Sequence, residues 1–207
     1  MRMIRVIVNG EEREYDEKEY PNFSDLWNEV APDDMVITKL VINGNEVPIS
    51  KMDEVMKAKF EGGEIVEMTF KSVGEAAIDL IDEALDYIAS IREHIELLAL
   101  NISKLDPQGG LKNFQKLIEG ITALENMRKS MVKLTRRDVK EMNLEDTYEE
   151  VKGIFEGVNT ALDARDYDEL ARILKEEFPK VLEFYRTFLE KSKVRIMEMF
   201  NTSEREG

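Results

Sequence analysis

The chain has 207 residues, 43% of them hydrophobic and 35% charged, with 44 Asp plus Glu against 29 Lys plus Arg for a formal net charge of −15. So acidic a surface repels polyanions, which argues against nucleic acid or an anionic membrane as a partner. Zero cysteines and a single histidine, His94, exclude disulfides, thiol nucleophiles, thiolate zinc sites, iron–sulfur clusters and His-rich metal centres.

No apolar run approaches the length that a membrane-spanning helix needs. The opening Met1-Arg2-Met3-Ile4-Arg5 lacks a long apolar stretch ahead of a small-residue cleavage site. The expectation is a soluble, cytoplasmic protein.

The chain as far as Lys71 follows strand patterning. Met3–Val8 is rich in β-branched residues, and Asn9-Gly10 marks a tight hairpin into a short, mostly charged strand over about Glu11–Tyr15. Ser24 can cap a short helix through Leu26, Trp27 and Val30, ended by Ala31-Pro32. Met35–Ile42 reads as a strand that Asn43-Gly44-Asn45 turns into Glu46–Ile49. A helical turn from Ser50 and a last strand over Glu64–Phe70, after Gly62-Gly63, complete this part.

The order β, β, α, β, β, short helix, β resembles the β-grasp fold of the ubiquitin-like superfamily. The resemblance rests on the Asn9-Gly10 hairpin, the helix around Trp27 and the late strand. It implies that strands 3–8 and 64–70 are adjacent and parallel, with the helix across one face. Members that act as modifiers or sulfur carriers end in a free Gly-Gly, and the ferredoxin branch uses cysteines. Here Gly62-Gly63 precedes a strand and cysteine is absent, which leaves a docking role.

From Val73 the pattern becomes helical. Ala77, Ile81, Ala84, Ile88, Ile91, Ile95, Leu98, Ile102 and Leu105 alternate steps of four and three, the apolar seam of a coiled coil. At 1.5 Å per residue that helix runs about 45–50 Å. Asp106-Pro107-Gln108-Gly109-Gly110 reads as a stop and turn. A second helix carries Leu111, Phe114, Ile118, Ile121, Leu124, Met127, Met131 and Leu134, and it continues or breaks between Thr135 and Asp146. Thr147-Tyr148-Glu149-Glu150 matches a capping box for a third helix, with Gly153 and Gly157 inside it. A turn over Asp163–Asp166 precedes a fourth helix, kinked just before Pro179. Residues after Asn201 read as a frayed polar end. The fold class expected is therefore α+β: a β-grasp-like domain over 1–71, then an antiparallel helical bundle of about four helices over 72–207.

Few residues carry recognisable chemistry. His94 follows Glu93, but position 91 is Ile, so the Glu-x-x-His pattern of carboxylate-bridged metal bundles fails. The pairs Asp82-Glu83, Glu149-Glu150, Asp168-Glu169 and Glu176-Glu177 fall in polar helical stretches, where neighbours point apart and solvated faces are the plainer reading. No glycine pair forms a phosphate loop; Gly62-Gly63 and Gly109-Gly110 read as turns. The segment 128–140 departs from the acidic background with six basic residues and one acidic. On a continuous helix Lys129, Lys133, Arg136, Arg137 and Lys140 form one stripe, which docks an anionic partner or neutralises acidic faces of the same chain. Tyr185 and Phe188 match the core face of the last helix. Phe184 falls off it and, with Phe200, is a candidate contact for another domain or chain.

The functional expectation is a non-catalytic adaptor or scaffold that binds another protein and assembles with further copies of itself through the helical bundle. No catalytic residue, metal or cofactor is assigned. The alternatives are an acidic chaperone for secretion or flagellar clients, holding an apolar segment in a helical groove, and an enzyme restricted to carboxylates and Lys/Arg.

Overall fold

The computed structural model describes residues 2–203. It is an α+β protein that divides into two compact units, Met1–Ala76 and Ala77–Gly207.

The first unit is a five-stranded mixed sheet. Its strands are β1 (Met3–Val8), β2 (Glu11–Asp16), β3 (Met35–Ile42), β4 (Asn45–Val47) and β5 (Ile65–Ser72), in the spatial order β2-β1-β5-β3-β4. β5 lies in the middle, parallel to β1 through Arg5–Ile65 to Val8–Met68 and antiparallel to β3. The two hairpins turn on Asn9-Gly10 and Asn43-Gly44, all four residues at positive φ between 49° and 87°. Such turns match the twist of the flanking strands and favour Asn-Gly. Both asparagines also hold the central strand: Phe70 N–H donates to Asn9 Oδ1 at 2.7 Å and Ile65 N–H to Asn43 Oδ1 at 2.9 Å.

Helix α1 (Phe23–Val30) starts two residues earlier than its sequence suggests. Asn22, not Ser24, is the cap: its Oδ1 accepts from Asp25 N–H at 2.9 Å, while the Ser24 hydroxyl donates to the same oxygen. Phe23, Leu26 and Val30 of α1 share a core with Ile4, Val6, Leu40, Val66, Met68 and Phe70. β4 stops at Val47, short of the expected Ile49, because Pro48 has no N–H for the ladder; a 3-10 turn and α2 (Met52–Val55) follow.

The second unit is helical. Ser72 and Glu75 form a capping box at the start of α3 (Val73–Leu100): Ser72 N–H donates to Glu75 Oε2 at 2.9 Å and Glu75 N–H to Ser72 Oγ at 3.2 Å. After Leu100 the helix widens into a π-turn over Asn101–Leu105. Asp106 is then the whole connection to α4 (Pro107–Thr135), accepting from Gly109 N–H at 3.0 Å with Pro107 at the first helical position. Gly109-Gly110 is thus helical rather than a turn. A Cβ on Gly110 would stand 2.8 Å from the Ile102 backbone nitrogen, so glycine there allows the two chain segments to touch.

α5 (Glu145–Ala164) begins at Leu144 without a side-chain cap, so Thr147 lies inside it and the expected capping box is not formed. The expected fourth helix is two: α6 (Tyr167–Glu176), capped by Asp166, and α7 (Phe178–Ser203). Pro179 does not kink a continuous helix. It sits in the first turn of α7, where a missing N–H costs no intrahelical bond. The expected fraying after Asn201 falls partly on residues 204–207, outside the described residues. Among the described residues no helix is long and apolar enough to cross a membrane.

Two expected faces are rotated. On α3 the inward residues are Ala77, Ile81, Ala84, Ile88, Ile95 and Ala99, continued by Ile102 in the π-turn; Ile91 and Leu98 are half-buried, and Leu105 at the end of that turn is 65% exposed. A straight α-helix drifts about 20° per heptad from a strict 3.5 repeat, so after three heptads Ala99 replaces Leu98. On α4 the buried positions are Gly110, Phe114, Leu117, Ile121, Leu124, Arg128, Met131 and Thr135, an unbroken four–three alternation that includes three residues no apolar search selects.

Candidate functional site: a groove between two long helices

The one-residue connection at Asp106 makes α3 and α4 antiparallel neighbours, pinned near the hairpin by Ile102 against Gly110. Farther along they are bridged by Tyr87, whose hydroxyl lies where a Cβ on Gly120 would be. On either side of that bridge the surface is hollow. Toward the hairpin a concavity of about 320 Å³ is lined by Ile91, His94, Leu97 and Leu98 of α3 and by Asn113 and Lys116 of α4. Away from it a second, of about 260 Å³, lies among Leu80, Glu83, Ala84, Ala123 and Met127. Tyr87 lines both, so together they form one groove.

The groove is apolar yet open to solvent. Leu80 is 50% exposed, Tyr87 40% and Leu97 54%. Isolated exposed apolar side chains are ordinary, but a contiguous set rimmed by polar groups marks an interaction surface. His94, the lone imidazole, belongs to this lining; its Nδ1 is 2.7 Å from the Ser90 carbonyl of its own helix. Reading α3 as one seam hides the groove. A second series, Leu80, Tyr87, His94 and Asn101, recurs every seven residues on another face.

A polar cluster lies inside the helical unit. Arg128 of α4, 7% exposed, donates through Nε and Nη2 to both oxygens of Glu125 at 2.9 Å each, and through Nη1 to Asp138 at 2.7 Å. Its guanidinium lies 4.8 Å from the Tyr148 ring centroid and 5.8 Å from that of Phe188. Tyr185 and Tyr148 donate hydroxyls to Glu125 at 3.2 and 3.3 Å. Burial alone would raise the Glu125 carboxyl, but the hydrogen bonds and charge of Arg128, then the Tyr185 hydroxyl, hold it below the ordinary value. Burial, reinforced by the Glu125 charge, pushes the Tyr185 hydroxyl well above its ordinary value. Both oxygens of this carboxylate are engaged twice over, so the cluster is built as a structural clamp.

The basic segment does not form a stripe. α4 ends at Thr135, and Arg136 caps it in the left-handed conformation at φ 54°. Lys129 and Lys133 therefore lie on the helix, while Arg136, Arg137 and Lys140 follow in the connection to α5. Lys129 stands 4.0 Å from Glu125. Arg137 lines a concavity that also holds Glu141, Glu190 and Glu198. The sixth basic residue of the segment, Arg128, is the one turned inward.

The aromatic pair also separates. Phe184, expected off the core, is 1% exposed and lies on Tyr148 with ring centroids 5.2 Å apart; Phe200 is half-buried against the same core. Phe184 is therefore a core residue and not a free contact surface. At least one member of each carboxylate pair is engaged with a cation: Asp82 with Lys193, Glu149 with Lys152, Glu150 with Lys180, and Glu169, Glu176 and Glu177 with Arg172. Among the described residues no group of three or more His, Asp or Glu is placed to hold a metal ion.

A family model described as "Domain of unknown function (DUF8042)" matches residues 79–187, more than half of the chain and including both walls of the groove. No curated protein and no solved structure matches the chain.

Proposed function

The chain belongs to the family described as Domain of unknown function (DUF8042), and from that premise we propose that it is a non-catalytic interaction protein, an adaptor or scaffold whose α3–α4 groove receives an apolar helical surface from another protein chain. The carrying observation is the open apolar groove, with Leu80, Tyr87 and Leu97 each two-fifths exposed or more. Leucine and tyrosine side chains spaced about two and three turns apart along one helix are what a partner helix packs against. The polar cluster supports the same reading from the opposite side, because its half-buried carboxylate is saturated by Arg128, Tyr148 and Tyr185 rather than left to act on a substrate.

The strand order β2-β1-β5-β3-β4 with β1 parallel to β5 supports reading the first unit as a β-grasp domain, a fold that hosts many docking functions. The site of action is the cytoplasm in this reading.

A photo-crosslinking side chain placed at Leu97 tests the proposal in native cells. The expected result is a discrete protein adduct that disappears with Leu80→Asp. Crosslinks to solvent alone, with the chain folded, would remove the groove as a binding surface.

A further inference from the structure

The charges around the groove identify what covers it. Glu83 lies one helical turn before Tyr87, and Lys116 one turn before Gly120. Because α3 and α4 are antiparallel and Tyr87 meets Gly120, those two steps run in opposite directions along the groove. The acidic group therefore stands about one turn, roughly 5–6 Å, to one side of the Tyr87 bridge, and the basic group the same distance to the other. Glu83 is the acidic residue of the groove lining and Lys116 the lysine, and neither has an ion-pair partner among the described residues.

A surface with equal and opposite charges at equal distances from a central point is complementary to itself. A half-turn about an axis through that point sets each Glu83 against the Lys116 of the other copy and each Lys116 against the other's Glu83. In the same operation Leu80 of one copy is brought toward Leu97 of the other, because the two lie on opposite sides of Tyr87. That is the isologous interface of a twofold dimer. We propose that the α3–α4 groove is covered by the same groove of a second copy of the chain, with the twofold axis passing close to Tyr87 and Gly120.

This names the partner in the interaction reading given above and rests on it. The net charge of −15 opposes self-association only over distance. At physiological ionic strength charges beyond about 8 Å are largely screened, so the paired groups and the apolar contact decide the outcome.

The absence of cysteine makes the test direct. In the full chain, Tyr87→Cys puts one thiol next to the axis, where it meets only its own symmetry mate; a disulfide needs Cα atoms within about 7 Å. Under mild oxidation the expected product is a covalent dimer, whereas Glu156→Cys, exposed on α5, stays monomeric. Sedimentation of the unmodified chain should show a concentration-dependent dimer. Glu83→Lys and Lys116→Glu should each weaken it at least tenfold, and the double exchange should restore it, because the two exchanged charges again face opposite signs across the axis. A chain that remains monomeric at hundreds of micromolar overturns the proposal, as does a dimer indifferent to both single exchanges. If the chain is monomeric while a side chain at Leu97 still crosslinks a different protein, the self-pairing fails and the interaction reading stands. If neither occurs, both fail.

Discussion

Arg128 and Glu125 face each other one turn apart on α4, joined by two hydrogen bonds of 2.9 Å each. The guanidinium is nearly dry while the carboxylate keeps about one-fifth of its surface exposed, and aromatic rings from α5 and α7 close over the guanidinium. Burying ions costs more than their attraction returns unless geometry and additional hydrogen bonds are good. Here Asp138, Tyr148 and Tyr185 supply those bonds, so three separate chain segments converge on the clamp.

Removing one half of the clamp strands the other. Arg128→Ala should destabilise the helical unit by about 3–5 kcal/mol, the range for breaking a buried pair. Arg128→Lys should recover only part of that, since a single ammonium cannot make the two-pronged contact. Urea denaturation followed by circular dichroism measures both. A loss under about 1 kcal/mol for Arg128→Ala would contradict the clamp.

The clamp also sets the response to pH. Glu125 titrates below its ordinary value when folded. Its contribution is therefore complete above the unfolded value of about 4.3 and is lost as pH falls through the lower folded value. Tyr185 titrates above its ordinary value. Its contribution holds below the unfolded value of about 10 and declines as pH rises from there toward the folded one. Stability should thus be flat between these limits and fall on both sides. Tyr185→Phe should reduce the alkaline slope, and Glu125→Gln the acid one.

Phe184 reads from the sequence as a target for uncoupling a partner, yet its burial makes it a core residue. Phe184→Ser should cost about 3–5 kcal/mol, as large-to-small core changes do, and should be seen first as a lowered thermal midpoint. A variant of wild-type stability would mean that the stacking with Tyr148 carries no weight.

The rotated seam of α3 gives a paired comparison. Ile95→Asp buries an uncompensated charge and should cost several kcal/mol. Leu105→Ser, at a position 65% exposed, should change stability by no more than about 0.5 kcal/mol. Equal effects at the two sites would restore the strict heptad.

Two glycines on α4 should behave differently. Gly110→Ala drives a methyl to 2.8 Å from the Ile102 backbone, which cannot rotate away, so a loss of about 1–3 kcal/mol is expected. Gly120→Ala meets only the far end of Tyr87. The ring can swing out, and helix propensity returns up to about 1 kcal/mol. Its signature should be a change in Tyr87 fluorescence or NMR shift with little change in stability.

What the sequence discloses divides by mechanism. The strands are legible because β-branched runs and two Asn-Gly turns are local signals. The helices are legible from period. Their inward faces are not: Arg128 is buried only because Glu125, Asp138 and two tyrosines come together around it, and Thr135 because its hydroxyl donates to the Met131 carbonyl of its own helix at 2.8 Å. A search for apolar residues passes over both and shifts the face to Met127 and Leu134. The groove escapes for the converse reason. Leu80 and Leu97 fall outside the apolar seam of α3, so a search along that seam passes over them, and Glu83 acquires meaning only once Lys116 is known to lie across the groove.

The π-turn at Asn101–Leu105 has a bearing on how this chain can change length. Deleting one residue from the middle of α3 swings everything beyond it by more than a quarter of a turn and shifts it along the axis by one residue's rise, which would turn the buried stripe outward. In the widened turn the surplus residue is already accommodated as a bulge, so losing it tightens the loop to regular pitch and leaves the preceding stripe in phase. Relatives that are one residue shorter within this hairpin should have their gap there, and a single-codon deletion scan along α3 should find its tolerant window in that turn.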